Sequence, residues 1–493
     1  MASSGSGGGG GVGGGGGGGD DTLKRRQLDV LLAQPTEDAE FAYYARLTAP
    51  GNPGHGNVVV KRVTHGKGLV AARDFAEGDR VLVEPPLVAM QQETNRADAL
   101  VCGECLRYVG SVEEQIARRL LNDDGDANDG DAAASIVDPG FLRQLLGGEK
   151  RLPGSELFPM PPSRRCPGGG REVYCSQACE TKAWESHEKW MCAGDGSGSK
   201  PDAMREFIDH AKETNDIFIL TAKVLIRVAS QANNAAAASA ANADDSSVSA
   251  SGKRPEESSN DDDDAALSAL AAAWEPFAMG HKAVWWETMA RPDDVAPGAE
   301  EDAFRGSMRD IAQESLKLLV SALPSDVVDA YPGLFSLEVF SRVIGMFELN
   351  NLEIVVASHV EDYFLHVDDL EEGSADKIAA QPMAGPLLDA LDTGYDTPCE
   401  GTGFFALQSC VNSDCDPNVA PLKDEEDRDG ACVLVAKRDV KCGEELTMCY
   451  VNESADLASR RAELADYGFL CRCEKCVREE AGLGQPRRGS KTK

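Results

Sequence analysis

The spacing of apolar residues changes character several times along the chain. Leu23 to Leu47 reads as one or two helices broken near Pro35, with Leu28, Val30, Leu31 and Leu32 on the apolar side. From Asn57 short apolar runs take over. VVVKRV and RVLVEPPLVAM flank HGKGLVAARDFAEGD, which predicts extended segments from Val58 to Met90 joined by Gly turns. Helical spacing returns between Met204 and Ala229, where Phe207, Ile208, Ala211, Ile217, Leu220, Val224 and Ile226 recur. It continues over Ala265 to Met289, Phe304 to Leu323 and Leu334 to Leu349, the last leading into NNLEIVV. The acidic stretch Asp368 to Asp396 is expected to be a loop. Beyond it FFALQS, CVLVAKRDV and EELTMCYV read as strands, and Asp456 to Tyr467 as a closing helix. The chain carries no internal repeat.

Between these elements lie tracts with little to bury. Residues 1–21 are Gly-rich, 122–135 are the acidic run NDDGDANDGDAAAS, and 230–264 are rich in Ala, Asn, Ser and Asp; all three are expected to be disordered. The whole chain has 83 acidic against 49 basic residues, a net charge of -34. That balance argues against binding nucleic-acid backbones as the main activity, which needs a basic footprint. An acidic surface suits a basic partner such as a Lys-rich tail, although much of the acidity sits in solvated loops. No apolar run approaches the ~20 residues of a membrane span, and the Gly-rich start lacks the basic and apolar regions of a signal peptide. The expectation is a soluble intracellular protein.

Cysteine spacing supplies the first chemistry. Of 15 cysteines, those in a large chain without a signal peptide point to metal rather than disulfides. Cys399, Cys410, Cys432, Cys442 and Cys449 lie outside zinc-like spacings and are expected to be buried apolar residues. The stretch SCVNSDCDPN, Ser409 to Asn418, is poor core material and good site material. Some way downstream, YGFLCRCEKC offers Cys471, Cys473 and Cys476, one ligand short of a tetrahedral zinc site, and Cys415 could be the fourth. A second cysteine-rich region opens with Cys102 and Cys105, resumes at Cys166 and ends at Cys192.

Taken together, three blocks resemble the SET and MYND domain family of protein lysine methyltransferases. They are HGKGLVAARDFAEGDRVLVEPP, the cysteine-rich insert, and NSDCDPN with EELTMCY and YGFLCRCEKC. The resemblance covers roughly residues 57–110, 160–195 and 335–478. The little sequence after the last cysteines points to the plant trithorax-related branch without the C-terminal helical domain. The implied fold is α+β. It is a β-rich SET fold with knot-like C-terminal threading, split by a MYND-type zinc finger and a helical insert, and closed by a zinc-binding post-SET segment. The implied layout is a disordered tail (1–21), a helical lead (22–56), the first SET part (57–100) and a finger (101–193) with an acidic insert (107–165). A helical insert (194–350) with its disordered loop (230–264), the second SET part (351–456), the post-SET segment (457–480) and a polar tail (481–493) complete it.

The family's reaction is methyl transfer from S-adenosylmethionine to a lysine amine. By the resemblance Tyr450 is the catalytic tyrosine, Tyr467 and Phe405 are aromatic walls of the lysine channel, and Phe469 packs on the adenine. Gly66, Lys67, Gly68, Asn351, Ser409, Val411, Asn412 and Ser413 are the implied cofactor contacts, Lys67 and Val411 mostly through backbone. Cys102, Cys105, Cys175 and Cys179 form one zinc site of the finger. Cys166, His187 and Cys192 belong to a second, with Gly169 where the fourth ligand belongs. With the post-SET cysteines this makes two or three zinc ions. The chain departs from the family at Ser413 and Asp414, which replace His-Ser. The implied substrate is a protein with an exposed lysine, a histone H3 tail, in the nucleus and also the cytoplasm, with no direct nucleic-acid or membrane binding. The rival reading is an inactive zinc-finger adaptor that binds Pro-containing peptides.

Overall fold

The structure is a computed structural model that describes residues 18–122, 137–194, 199–246, 255–280, 283–292 and 294–482. The Gly-rich start, most of the acidic run at 122–135 and the end of the polar tail lie outside the described residues.

The chain opens with helix α1 (Gly18–Leu31) and helix α2 (Glu37–Leu47). Pro35 separates them, and the Thr36 side chain caps α2 by accepting from the Ala39 N–H. Strands β1 (Val58–Val63) and β2 (Gly66–Ala71) form an antiparallel hairpin in which Val63 faces Gly66, so Thr64 and His65 make the turn. Gly66 has φ +106°, a conformation that side chains disfavour. Strands β3 (Arg80–Glu84) and β4 (Val88–Gln91) follow across the Pro85-Pro86 break.

The first insert contains α3 (Val112–Asn122), α4 (Pro139–Leu146), the short pair β5 (Arg164–Arg165) and β6 (Val173–Tyr174), α5 (Gln177–Ala183), and α6 (Lys189–Met191). A π-helical turn, Trp184–Glu188, joins α5 to α6. The second insert is all helix: α7 (Ser199–Thr214), α8 (Ile217–Ser246), α9 (Pro255–Ala278), α10 (Trp285–Thr288), α11 (Ala299–Ala322), α12 (Ser325–Ala330) and α13 (Leu337–Asn350). Helix α8 is apolar nearly all round from Ile217 to Ala229 and is buried by its neighbours on every side.

The expected disordered loop at 230–264 is corrected for 230–246 and 255–264; residues 247–254 lie outside the described residues. Helix α8 runs on to Ser246 and α9 begins at Pro255. Ser230 and Ala232 are buried, and the Ser230 hydroxyl donates to the Glu185 carbonyl at 2.8 Å. Alanine favours helix intrinsically, and its small side chain lets this turn pack closely, so a composition that reads as linker becomes helix.

The last part holds β7 (Asn351–Val356), α14 (His359–Asp369), α15 (Ala375–Leu391), β8 (Cys399–Phe404), β9 (Asn412–Ser413), β10 (Val419–Pro421), β11 (Cys432–Ala436), β12 (Thr447–Met448), α16 (Leu457–Asp466) and α17 (Glu474–Glu480). Much of the acidic stretch expected to be a loop is helix α15, because Ala380, Ala384, Leu387 and Leu391 recur at helical spacing and are buried. The expected strand FFALQS breaks after Phe404 into a tight 3-10 turn at Gln408–Cys410. Cys399, Cys410 and Cys432 are buried as expected, but Cys449 is only half-buried and Cys442 is exposed.

Strand pairing unites the two ends of the chain. One antiparallel sheet has the order β4-β8-β7 and another β10-β11-β3, while β9 and β12 pair in parallel. Each three-stranded sheet therefore joins strands from before the inserts to strands from after them. The result is a mixed helix and sheet molecule with one β framework and two excursions. No helix among the described residues is long and apolar enough to cross a membrane.

Candidate active site and metal clusters

Three clusters of metal-binding side chains form among the described residues. In the first, Cys415 follows β9, Cys471 and Cys473 precede α17, and Cys476 lies in its first turn. The Sγ atoms of Cys415 and Cys471 are 3.8 Å apart, and those of Cys415 and Cys476 3.6 Å. A tetrahedral zinc with metal–sulfur bonds of about 2.3 Å has sulfur–sulfur edges of about 3.8 Å. The thiols fit such an ion. Arg460 of α16, itself buried, points Nη2 at Cys476 Sγ (3.6 Å) and at Glu479 Oε2 (2.6 Å), supplying positive charge beside the thiolates.

Cys102, Cys105, Cys175 and Cys179 form the second cluster, with Cys105–Cys175 and Cys175–Cys179 sulfur separations of 3.6 Å. Ser176 caps α5 by accepting from the Cys179 N–H at 3.2 Å, which turns Cys179 toward Cys175. The third cluster differs from expectation. It contains Cys166 and Cys192, 3.5 Å apart, but its other member is Glu188 rather than His187. On a helix the residue stacked over Cys192 is four positions earlier, which is Glu188. The ring of His187 turns away, its Nδ1 2.8 Å from Ser186 Oγ. Burial, with Lys223 and Arg227 nearby, keeps His187 well below the usual imidazole range and therefore neutral.

A cavity of about 750 Å³ lies beside the first cluster, lined among others by His65, Lys67, Asn350, Ser409, Asn412, Tyr450, Tyr467, Gly468 and Phe469. Its size is that of a small-ligand site. The hairpin β1–β2 brings His65 and Lys67, on either side of Gly66, to one wall. Asn412 fixes that wall, donating from Nδ2 to the Lys67 carbonyl (3.1 Å) and to Glu445 Oε1 (2.8 Å). Gly68 has no room for a side chain, since a Cβ there would lie 2.6 Å from Val63 and 3.0 Å from Glu445. The Lys67 ammonium is engaged behind the wall with Glu40 (3.1 Å), Tyr44 (2.9 Å) and the Met279 carbonyl (2.5 Å), tying α2 and the end of α9 to β2.

Tyr450 and Tyr467 meet here with ring centroids 5.1 Å apart. The Tyr450 hydroxyl donates to the Val411 carbonyl at 2.7 Å, and burial raises its pKa so that the phenol stays neutral. Phe469, 37 % exposed, stands at the rim. Ser409 lines the cavity, whereas Val411 is buried and Ser413 holds its hydroxyl in the interior without a partner. Asn351 is displaced from its expected place. Its side chain bonds Thr402 across the sheet (2.9 Å), because strand β7 begins there, and Asn350, the last residue of α13, faces the cavity instead.

Phe405 is fully buried and lines a different cavity of about 1130 Å³. The walls of that cavity are β7, the start of α14, the end of the 3-10 turn Asp392–Asp396 and the segment 421–433; they carry Glu353, Glu361, Asp396, Glu425 and Glu426 beside the two cations Lys423 and Arg428. Burial and the neighbouring Asp396 and Asp362 raise the Glu361 pKa, and Arg428 partly opposes them. Sequence reasoning missed Glu84. This buried carboxylate accepts the N–H groups of Leu407 and Gln408, both at 2.9 Å, and so fixes the turn that carries Ser409. Its signal was an acidic residue ending the apolar run RVLVE.

Comparisons with known proteins bear on this arrangement. The SET domain matches residues 298–451, which include Ser409, Asn412, Cys415 and Tyr450. The chain is similar to histone-lysine N-methyltransferase ATXR2 of Arabidopsis thaliana, 39% identical over 446 residues, which are 85% of this chain and 90% of that protein. It is 23% identical over 429 residues to human protein-lysine N-trimethyltransferase SMYD5, covering 84% of each. A shorter match joins it to histone-lysine N-methyltransferase SET5 of Meyerozyma guilliermondii, 42% identical over 77 residues, 15% of this chain and 16% of that protein.

Proposed function

Since this chain belongs to the SET-domain lysine methyltransferases, on the plant trithorax-related branch, we propose that it methylates a basic histone tail from a donor seated in the Tyr450 cavity. The enzyme transfers a methyl group from S-adenosylmethionine to a protein lysine. The donor, when bound, supplies a methyl group already activated by its sulfonium. The protein must therefore align a lysine and keep its amine neutral. The observation that carries the reading is the meeting of Tyr450, Tyr467, Ser409 and Asn412 in one cavity, with Phe405 on the adjoining segment facing an acidic one.

In this reading Asn412, Ser409 and the Gly66–Gly68 backbone hold the polar parts of the donor, Asn350 takes the place expected of Asn351, and Phe469 covers the adenine. Val411 acts through its carbonyl. That carbonyl occupies the Tyr450 proton, so the phenol oxygen is left to accept from the lysine amine. The rings of Tyr450 and Tyr467 hold the aliphatic stem and leave an ammonium poorly solvated, which lowers a lysine pKa from ~10.4. Ser413, lacking a ring, contributes its place in the β9–β12 pair. The parallel pairing of these short strands supports the knot-like threading, and the cysteine clusters support a MYND-type finger and a post-SET segment that folds Tyr467 and Phe469 over the donor through zinc.

For the substrate, the acid-lined cavity supports a basic tail such as that of histone H3, and hence the nucleus as the place of action. The relationship to named methyltransferases favours this over the inactive adaptor. The test is incubation with labelled S-adenosylmethionine and core histones, beside an H3 tail peptide and the same peptide with its flanking basic residues replaced by Gln. Label on H3, lost from the neutralised peptide, is expected. Label on a non-histone control but on no histone would overturn the histone assignment.

A further inference from the structure

Cys166 and Cys192 leave the finger's second site short of ligands, and the histidine expected there, His187, has its Nδ1 on Ser186. Glu188 faces the thiols instead. It is 5 % exposed, and its Oε1 lies 3.5 Å from Cys166 Sγ. No cationic side chain forms an ion pair with it among the described residues. The nearby cations are committed elsewhere, the Lys223 ammonium to the Ala89 carbonyl (3.2 Å) and Arg171 to the Glu93 carboxylate (2.6 and 2.7 Å). A buried carboxylate beside two thiols, with no cation of its own, is costly to ionise, and a metal ion would supply the missing positive charge.

We propose that Cys166, Glu188 and Cys192 hold a third zinc ion, with Glu188 rather than His187 as the ligand from the helix. This rests on the finger reading above and goes beyond it by assigning a carboxylate where a histidine was expected. The π-helical turn Trp184–Glu188 makes the exchange. It adds a residue to the turn, so that Glu188, one α-turn before Cys192, takes the inward position and His187 rotates away. Two thiolates and a carboxylate are acceptable zinc ligands, and the thiolates select zinc over harder cations.

The glycine loop supplies no side chain to the fourth position. A Cβ at Gly168 or Gly170 would lie 2.6 or 2.7 Å from Cys192 Sγ, so the glycine loop already packs against the sulfur. A water or a backbone carbonyl completes the coordination. This site is accordingly the weakest of the three, and zinc leaves it first when a chelator is titrated in.

The test is zinc per chain, measured by mass spectrometry on the full-length protein purified under reducing conditions. Wild type should hold three ions, Glu188→Gln two, and His187→Ala three, while Glu188→His should restore the third by offering a ligand of another type. The two four-cysteine sites serve as controls. If Glu188→Gln falls below two ions, circular dichroism decides. A native spectrum means that Glu188 does not act on this site alone, and the proposal fails. An unfolded one passes the decision to Glu188→His against His187→Ala. Two ions in wild type, three in Glu188→Gln, or two in a folded His187→Ala would each overturn the assignment. Loss of the four-cysteine zinc ions in wild type would instead overturn the finger reading on which it rests.

Discussion

The two cavities that share the segment 405–412 are built from opposite materials. The smaller is walled by tyrosines and amides with charges of both signs, Arg291 and Arg305 beside Glu287 and Asp466, and its Lys67 ammonium is engaged with Glu40 and Tyr44. The larger is walled by carboxylates around a buried phenylalanine. One suits a ligand held by shape and hydrogen bonds, the other a ligand held by positive charge. In the proposed function, a basic chain in the larger cavity would direct its lysine toward a donor in the smaller one, across the turn that both cavities share.

Zinc is the largest lever on this contrast. Cys471→Ser removes a ligand of the cluster that carries Tyr467 and Phe469, so the donor cavity should lose its rim while the acidic cavity stays intact. Donor affinity, by calorimetry, is expected to fall by about 100-fold or more, in line with the scale of structural zinc binding. An unchanged affinity would separate the metal from the donor.

The shared turn offers the next lever, through Glu84. Burial raises its pKa from 4.5 to about 7, and the N–H groups of Leu407, Gln408 and Ala406 only partly oppose this. The folded value lies above the unfolded one, so the native state binds the extra proton. Its contribution to stability is full below about pH 4.5 and is lost as pH rises through about 7, on the order of 3 kcal/mol in all. Urea midpoints should fall over that window in wild type, and the fall should flatten in Glu84→Gln. Equal slopes would remove Glu84 from the account.

The acidic wall is the smallest lever. Glu361→Gln with Asp396→Asn should raise the KM for a basic tail by about 5- to 30-fold, at about 0.5 to 1 kcal/mol for each of the two charges, and leave kcat and donor affinity alone. High salt should erase the difference between wild type and variant. A change in kcat with constant KM would mean that these acids act on the donor side.

Much of the donor side was legible in the sequence because its residues are close together in the chain. Ser409, Asn412 and Cys415 fall within one short stretch, and Tyr450, Tyr467 and the last cysteines follow in order. The acidic cavity was not legible, since β7, α14 and the segment 421–433 meet only in three dimensions. The structure puts Asn350 rather than Asn351 on the smaller cavity and Glu188 rather than His187 beside the thiols, shifts of one position set by where a helix ends or bulges, which residue type does not report. Helix α15 was hidden by its two internal prolines and its acidic neighbours, although its buried alanines and leucines kept helical spacing.

The central claim is that Tyr450 aligns the lysine without holding the donor. Tyr450→Phe removes only the hydroxyl, so the measurement is kcat on an H3 tail peptide beside the donor's Kd for the same protein. The account predicts a kcat lower by roughly 10²- to 10³-fold with Kd changed by less than about three-fold. A variant that methylates at the wild-type rate, or one that loses activity only because the donor no longer binds, would contradict it.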